Sequence, residues 1–249
     1  MESGGFLRNS QIIVLGICIG VATIASSVIL SQGFLKIMKF TREQISVTGS
    51  AQQNIKSDYV VWTASFSKRD PDLATAYKKL KEDLVKVKKY LVSKGVNEKE
   101  IIVDQVVIRT VYKKNEKGGD TNDIQGYILT QGIKVKSGEV DMITQLSRES
   151  TELLDQGMEF SSGAPEYSYT KLDELKIEML AKATQNAKQR AENMVRATGN
   201  KIGFMRSAKM GVFQITPVNS TEVSDWGVND TTSLEKKVTA VVTVSFAIE

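Results

Sequence analysis

Residues 9–35 contain no Lys, Arg, Asp or Glu, and their centre, 12–30, reads IIVLGICIGVATIASSVIL. A helix that crosses the ~30 Å hydrocarbon core of a bilayer needs about 20 mostly apolar residues. The stretch therefore predicts one transmembrane helix over 11–35. Beyond it the hydrophobic pattern changes in kind. Residues 45–51 alternate and predict a strand, and 58–68 predict a second, with Val60, Trp62, Ala64 and Phe66 on one face. Asp70-Pro71-Asp72 opens a helix, with proline suited to the first turn. Leu73, Tyr77, Leu80, Leu84, Val87 and Leu91 recur in steps of four and three as one apolar stripe, and Gly95 is the expected stop.

Residues 101–113 and 124–136 predict two long strands, joined through the polar loop 115–123 with its Gly118-Gly119 pair into an antiparallel hairpin. A helix over 140–154 buries Met142, Ile143, Leu146, Leu153 and Leu154, and a weak strand follows at 158–161. The longest soluble helix, 171–198, carries Leu172, Leu175, Met179, Leu180, Ala183, Ala187, Ala191 and Met194 and ends at Gly199. Its alanines permit close approach by another element. Residues 205–215 predict one strand, 217–233 a polar loop holding Trp226, and 238–248 a cleanly alternating last strand. The fold class expected is α+β: a ferredoxin-like βαββαβ core, extended by an N-terminal strand and a C-terminal α-β-β unit and preceded by one transmembrane helix. The chain divides into a head (1–10), a signal anchor (11–35), a linker (36–44) and one soluble domain (45–249).

The apolar segment allows a cleaved signal peptide, with Ala25 and Ser27 near the cleavage site, but Val28-Ile29-Leu30 continue the run past them. Ile17 before Cys18 does not suit a lipoprotein signal. An uncleaved anchor is the preferred reading. Gly16 and Gly20 form a GxxxG pair, and Ser27 extends that small face for helix packing; glycine is also common in membrane helices without such a role. Lys36, Lys39 and Arg42 after the helix outnumber Arg8 before it, which by the positive-inside rule favours a cytoplasmic body. The short head favours an exported one.

Composition narrows the chemistry. There is no histidine, which removes the usual general base and the commonest metal ligand, and the only cysteine, Cys18, lies inside the apolar segment. No intrachain disulfide, CxxC pair, zinc cluster or soluble thiol nucleophile can form. The formal net charge of +4 is too mild to mark a nucleic-acid binder. No GxSxG, SxxK or phosphate-cradling loop is present, so neither a cofactor nor a metal is expected.

Residues 72–94 hold seven lysines against three acids, an excess equal to that of the whole chain. Lys78, Lys81 and Lys88 are a candidate surface for an anionic partner. The plainer and preferred reading is the solvated side of an amphipathic helix, since no arginine or aromatic ladder accompanies them. Asp120, Asn122 and Asp123 faintly suggest a calcium loop, but Ile124 and Gln125 occupy ligand and glycine positions, so a hairpin tip is expected. Glu149, Glu152, Asp155, Glu159 and Glu166 read as solvent-facing acids rather than a hydrolytic pair. The sequons at Asn219 and Asn229 are taken as chance matches.

An ordered series of residues then resembles one family. It runs from Ile45-Ser-Val-Thr-Gly49 and Asp58 through Leu91, Gly95-Val96 and Ile101-Ile102 to Tyr112. It continues with Ile124-Gln-Gly126-Tyr127-Ile-Leu-Thr-Gln131-Gly-Ile-Lys-Val135 and ends with Ala183, Ala187, Ala191 and Gly199. The series resembles the SIMPL-domain family of bacterial envelope proteins, which includes an oxidative-stress defence protein and periplasmic immunogens. Ser57 stands where the family often has proline, and the retained anchor departs from relatives that look secreted. The resemblance implies an exported domain outside the inner membrane, self-association into large ring-like or cage-like assemblies, and no agreed enzymatic activity. It also implies a cytoplasmic amino terminus and a periplasmic body, against the charge count.

The expected function is therefore a non-enzymatic, membrane-anchored envelope protein that forms a large homo-oligomer, with any role in envelope or oxidative stress being indirect. Strand edges and the 217–233 loop are the expected subunit contacts. The alternative is an adaptor or ligand-binding module that uses its lysine-rich helix against acidic partners or anionic lipid.

Overall fold

The computed structural model describes residues 4–249, and the side chains of all of these except 4–12, 36 and 39–42. Arg8, Lys36, Lys39 and Arg42, on which the charge count turns, have side chains outside the described residues. The chain is α+β with one long apolar N-terminal helix, α1 (Gly4–Arg42), followed directly by strand β1 (Gln44–Lys56). Within α1, the 23 residues Ile13–Leu35 are long and apolar enough to cross a membrane, and none of them is buried against the rest of the chain. The chain forms two compact units. One holds the residues up to Ser50, Leu180–Gly211 and Val241–Glu249; the other holds Ala51–Met179 and Val212–Ala240.

The second unit contains β2 (Tyr59–Asp70), α2 (Leu73–Ser93), β3 (Ile101–Lys114), β4 (Asp120–Ser137), α3 (Val140–Glu149), α4 (Glu152–Asp155), β5 (Glu159–Ser162) and β6 (Glu166–Ser168). Its sheet has the order β3-β4-β2-β5, with β6 also on β2, and all its pairs are antiparallel. The period-2 pattern of β2 places Val60, Trp62, Ala64 and Phe66 in the core, none more than 3% exposed. Asp72 caps α2 by accepting from the Thr75 N–H at 2.8 Å, and the Val96 N–H closes its far end on the Leu91 carbonyl at 3.1 Å.

The buried side of α2 differs from the expected stripe. Ala76, Leu80, Asp83, Val87 and Leu91 face the core, while Leu73 and Tyr77 are exposed. Asp83 is tolerated there because Lys68 of β2 forms an ion pair with it at 2.9 Å and Lys86 forms another at 3.3 Å. The expected helix over 140–154 is two helices, broken around Ser150, whose hydroxyl donates to the Ser147 carbonyl at 3.0 Å. Leu153 is buried and Leu154 exposed as a result.

The long helix α5 (Leu172–Arg196) runs through both units. Its buried positions are Leu175, Met179, Ala183, Ala187, Ala191 and Val195; Met194, expected inside, is exposed. The strand expected at 205–215 is two strands, β7 (Ile202–Met210) and β8 (Gln214–Pro217), separated at Gly211-Val212-Phe213. The last strand, β10 (Glu235–Ile248), pairs antiparallel with β7 in the first unit and with β8 in the second. The short β9 (Val228–Asn229) runs parallel to β8, so this sheet is mixed; its order is β1-β10-β8-β9, with β7 also on β10.

Candidate interaction surfaces

Most of the residues that stood out in the sequence prove to be packing devices. Gly49 lies on β1 directly against α5: a Cβ there would meet the carbonyl oxygen of Ala183 and the amide nitrogen of Ala187. Asn186 accepts from the Ser50 N–H at 3.2 Å, and the Arg190 guanidinium donates to the Thr48 carbonyl at 3.1 Å. The glycine and the alanine-spaced helix are thus two halves of one contact. Gly126 similarly lets β4 approach the Asp70 carbonyl and Pro71 at the start of α2. Gln131, 8% exposed, donates to the Asp104 carbonyl at 3.1 Å. Asp58 accepts from both the amide and the hydroxyl of Thr170, each at 2.7 Å. At Ser57 the backbone N–H donates to the Leu234 carbonyl at 2.9 Å, a bond that proline could not make.

The carboxylates at the junction of α3 and α4, Glu149 and Glu152, are held as ion-pair partners. Lys94, just past the end of α2, lies 2.9 Å from Glu149 and 3.2 Å from Glu152, and over the Tyr90 ring at 5.3 Å. Hydrogen bonds from Gln145 and then Lys94 hold the Glu149 carboxyl below the usual carboxylate range. The same two acids hold the Lys94 ammonium above its usual range. Burial and then the Glu152 charge push the Tyr90 phenol up. A carboxyl stabilised as the anion is a poor proton donor, which argues against a general acid here. Asp120 pairs with Lys114 at 2.7 Å across the hairpin, and the Asn115 side chain accepts from the N–H groups of Lys117 and Gly119. The 115–119 turn is a self-bonded hairpin tip. Among the described residues no group of three or more His, Cys, Asp or Glu could hold a metal ion.

On α1, a Cβ at Gly16 or Gly20 would meet nothing within 4 Å, and Ser27 lines a shallow hollow with Thr23, Ile24 and Ser31. Spaced four and seven apart, the three share one side of the helix. Of the seven lysines of residues 72–94, three have acidic partners among the described residues: Lys79 with Asp70 at 2.7 Å, Lys86 with Asp83, and Lys94 as above. Lys78, Lys81 and Lys88 form no ion pair among the described residues; Lys81 sits over the Tyr77 ring at 5.6 Å.

Two exposed apolar features were only partly visible in the sequence. The edge strand β3 leaves Val107 65%, Ile108 54% and Tyr112 40% exposed, and Ile124 on β4 is 50% exposed. Alternation alone marks a strand without saying that it lies at an edge. The loop after β8 presents Trp226 94% exposed, yet the loop is tied down. Gln214 bonds Ser224 through both its amide atoms and accepts from the Val228 N–H at 2.9 Å, and the Lys237 ammonium donates to the Ser220 carbonyl at 2.9 Å.

The chain is thus an α+β body behind one long apolar N-terminal helix, with glycines at close backbone approaches and charges held in ion pairs. Residues 45–246 match SIMPL, described as a protein of unknown function (DUF541), and the chain belongs to that family. None of the curated proteins matches the chain.

Proposed function

We propose that the protein is a non-enzymatic envelope component, anchored by α1 in the bacterial inner membrane with its body in the periplasm, that assembles with itself into a large ring-like or cage-like particle. The observation that carries this reading is β3. Its outer edge presents a row of backbone N–H and C=O groups with no neighbouring strand among the described residues, flanked by exposed Val107 and Ile108. Such an edge is a template for pairing with another chain unless charge, proline, a bulge or a covering element blunts it, and the register shifts at 103–106 and 111–114 leave Val106–Val111 as its regular stretch. Arg109 is the one charged residue between Gln105 and Tyr112, and the segment has no proline. Trp226, held out on a bonded loop, is a second candidate contact, because tryptophan is enriched where interfaces form.

The order β3-β4-β2-β5 with a helix after the first and third strands in sequence supports reading the second unit as a ferredoxin-like core. The 23-residue, mostly apolar span of α1, with Gly16, Gly20 and Ser27 on one side, suits a single-pass anchor that packs on its own copies. Any part in envelope or oxidative stress is indirect, since the one thiol, Cys18, lies within the anchor. Electron micrographs of the detergent-extracted full chain test the reading. Symmetric particles of many copies are expected; solitary chains in every field would overturn it.

A further inference from the structure

We propose that the exposed face of α2 docks on anionic lipid headgroups. The inference stands apart from self-assembly. At about 100° per residue, Tyr77, Lys78, Lys81, Val85, Lys88 and Val92 fall within an arc of roughly 120°. The arc is centred about 110° around the helix from the buried Leu80, Val87 and Leu91. Tyr77 is 48%, Val85 66% and Val92 48% exposed. Glu82 borders the arc and Asp83, the other acid of α2, is buried beneath Lys68. The lysines inside the arc form no ion pair among the described residues, whereas those that do pair, Lys79 and Lys86, lie outside it.

A merely solvated helix face interleaves opposite charges at i and i+4. Lys78 has Glu82 four places on without an ion pair between them, but the residues four places after Lys81 and Lys88 are valines, Val85 and Val92. Lysines mixed with exposed valines and a tyrosine suit a lipid interface. Their ammonium heads reach phosphates while the apolar tips and a tyrosine ring enter the boundary between headgroups and acyl chains. A protein partner would favour a pocket for an aromatic or arginine anchor. The hollow over Ala74, Tyr77, Lys81 and Val85 is instead open and shallow. The inference rests here on the anchor proposed above: Ile13–Leu35, seated in a bilayer, keeps the body close to lipid, which raises the effective lipid concentration without any added affinity.

Each lysine near an anionic surface is worth about a fivefold gain in partitioning, so three give on the order of 100-fold, and salt screens the gain. The test reconstitutes the full chain into nanodiscs of phosphatidylcholine alone or of equimolar phosphatidylcholine and phosphatidylglycerol. Lysine acetylation rates are read by mass spectrometry. In a second arm, protein in neutral discs is mixed with equimolar anionic vesicles, which separates the protein's own membrane from an apposed one. Protection of Lys78, Lys81 and Lys88 by about fivefold or more in either arm, reversed by salt, with Lys114 at the hairpin tip unchanged, is the expected result. In the K78Q/K81Q variant the protection of Lys88 should disappear, and V85Q should weaken it while leaving its salt dependence. Equal acetylation in both discs together with no protection by vesicles would overturn the proposal. Protection by a polyglutamate peptide but not by lipid would overturn it too, and would assign the face to an acidic protein.

Discussion

Replacing Gly49 with alanine adds one methyl group at a place where nothing can yield. The new Cβ would collide with the Ala183 carbonyl oxygen and the Ala187 amide nitrogen, both main-chain atoms inside α5. A flexible side chain could rotate away from such a contact, but a hydrogen-bonded helix interior cannot. Shifting β1 would in turn break the bonds that Asn186 and Arg190 make to Ser50 and Thr48 at 3.2 and 3.1 Å. Overpacking of a core costs about 1–3 kcal/mol, and a rigid backbone partner puts this case near the upper end, about 3 kcal/mol. For a body of this size that is a fall in Tm of about 6–12 °C. Thermal melts of the full chain in detergent, followed by far-ultraviolet circular dichroism, measure it. G138A is the control, since a Cβ at Gly138 would meet only the Asp58 carbonyl at 3.8 Å. A G49A melt indistinguishable from that of G138A would refute the close contact between β1 and α5.

Other perturbations follow from single contacts. Lys68→Met leaves Asp83, 2% exposed, without its nearest counter-charge and should cost about 3 kcal/mol in urea titration, much of it recovered in K68M/D83L. Equal stability of wild type and K68M would contradict this. Burial lowers the Lys236 ammonium below its usual 10.5, although it donates to the Tyr167 carbonyl. The unfolded chain therefore binds more protons at alkaline pH, and stability should rise as pH passes from the depressed folded value toward 10.5, a rise that K236M abolishes. The same alkaline slope in both proteins would count against it. Of the two tryptophans, Trp62 is fully buried and Trp226 almost fully exposed. W226F should remove the red-shifted part of the emission and W62F the blue part; one shared spectrum would disprove the assignment. Ser57→Pro should destabilise by removing the amide bond to Leu234, and an unchanged melting temperature would show that bond to be dispensable.

How far the sequence could be read depended on how local each signal was. The alternation of β2, the proline and aspartate before α2 and the Gly118-Gly119 turn each act within a few residues, and each element formed where its pattern predicts. The buried face of α2 was misjudged because the helix carries two apolar stripes. Leu80, Val87 and Leu91 are common to the expected and observed cores, but Tyr77 lines up equally well with Val85 and Val92 on the exposed side. An aspartate in the core could not be anticipated until β2 brought Lys68 beside it. Met205 and Ile215 looked like one strand because Val212-Phe213 keeps the segment apolar across the break between β7 and β8. At the candidate surfaces, Lys78, Lys81 and Lys88 could be named from spacing, but which lysines remain unpaired depends on Asp70 and Asp83 in the fold. The exposure of Val107 and Ile108 depends on strand order, which is a long-range property.

The claim on which the rest depends is that copies of this chain join through the open side of β3. Mass photometry of the detergent-extracted full chain, beside the V107K/I108K variant, measures it most directly. The account predicts a wild-type particle at a large multiple of 27.5 kDa beyond its detergent shell and a variant reduced to a few chains at most, held by α1 alone, with an unchanged circular dichroism spectrum. A wild-type particle of one chain at every concentration, or a variant that assembles as the wild type does, would contradict it.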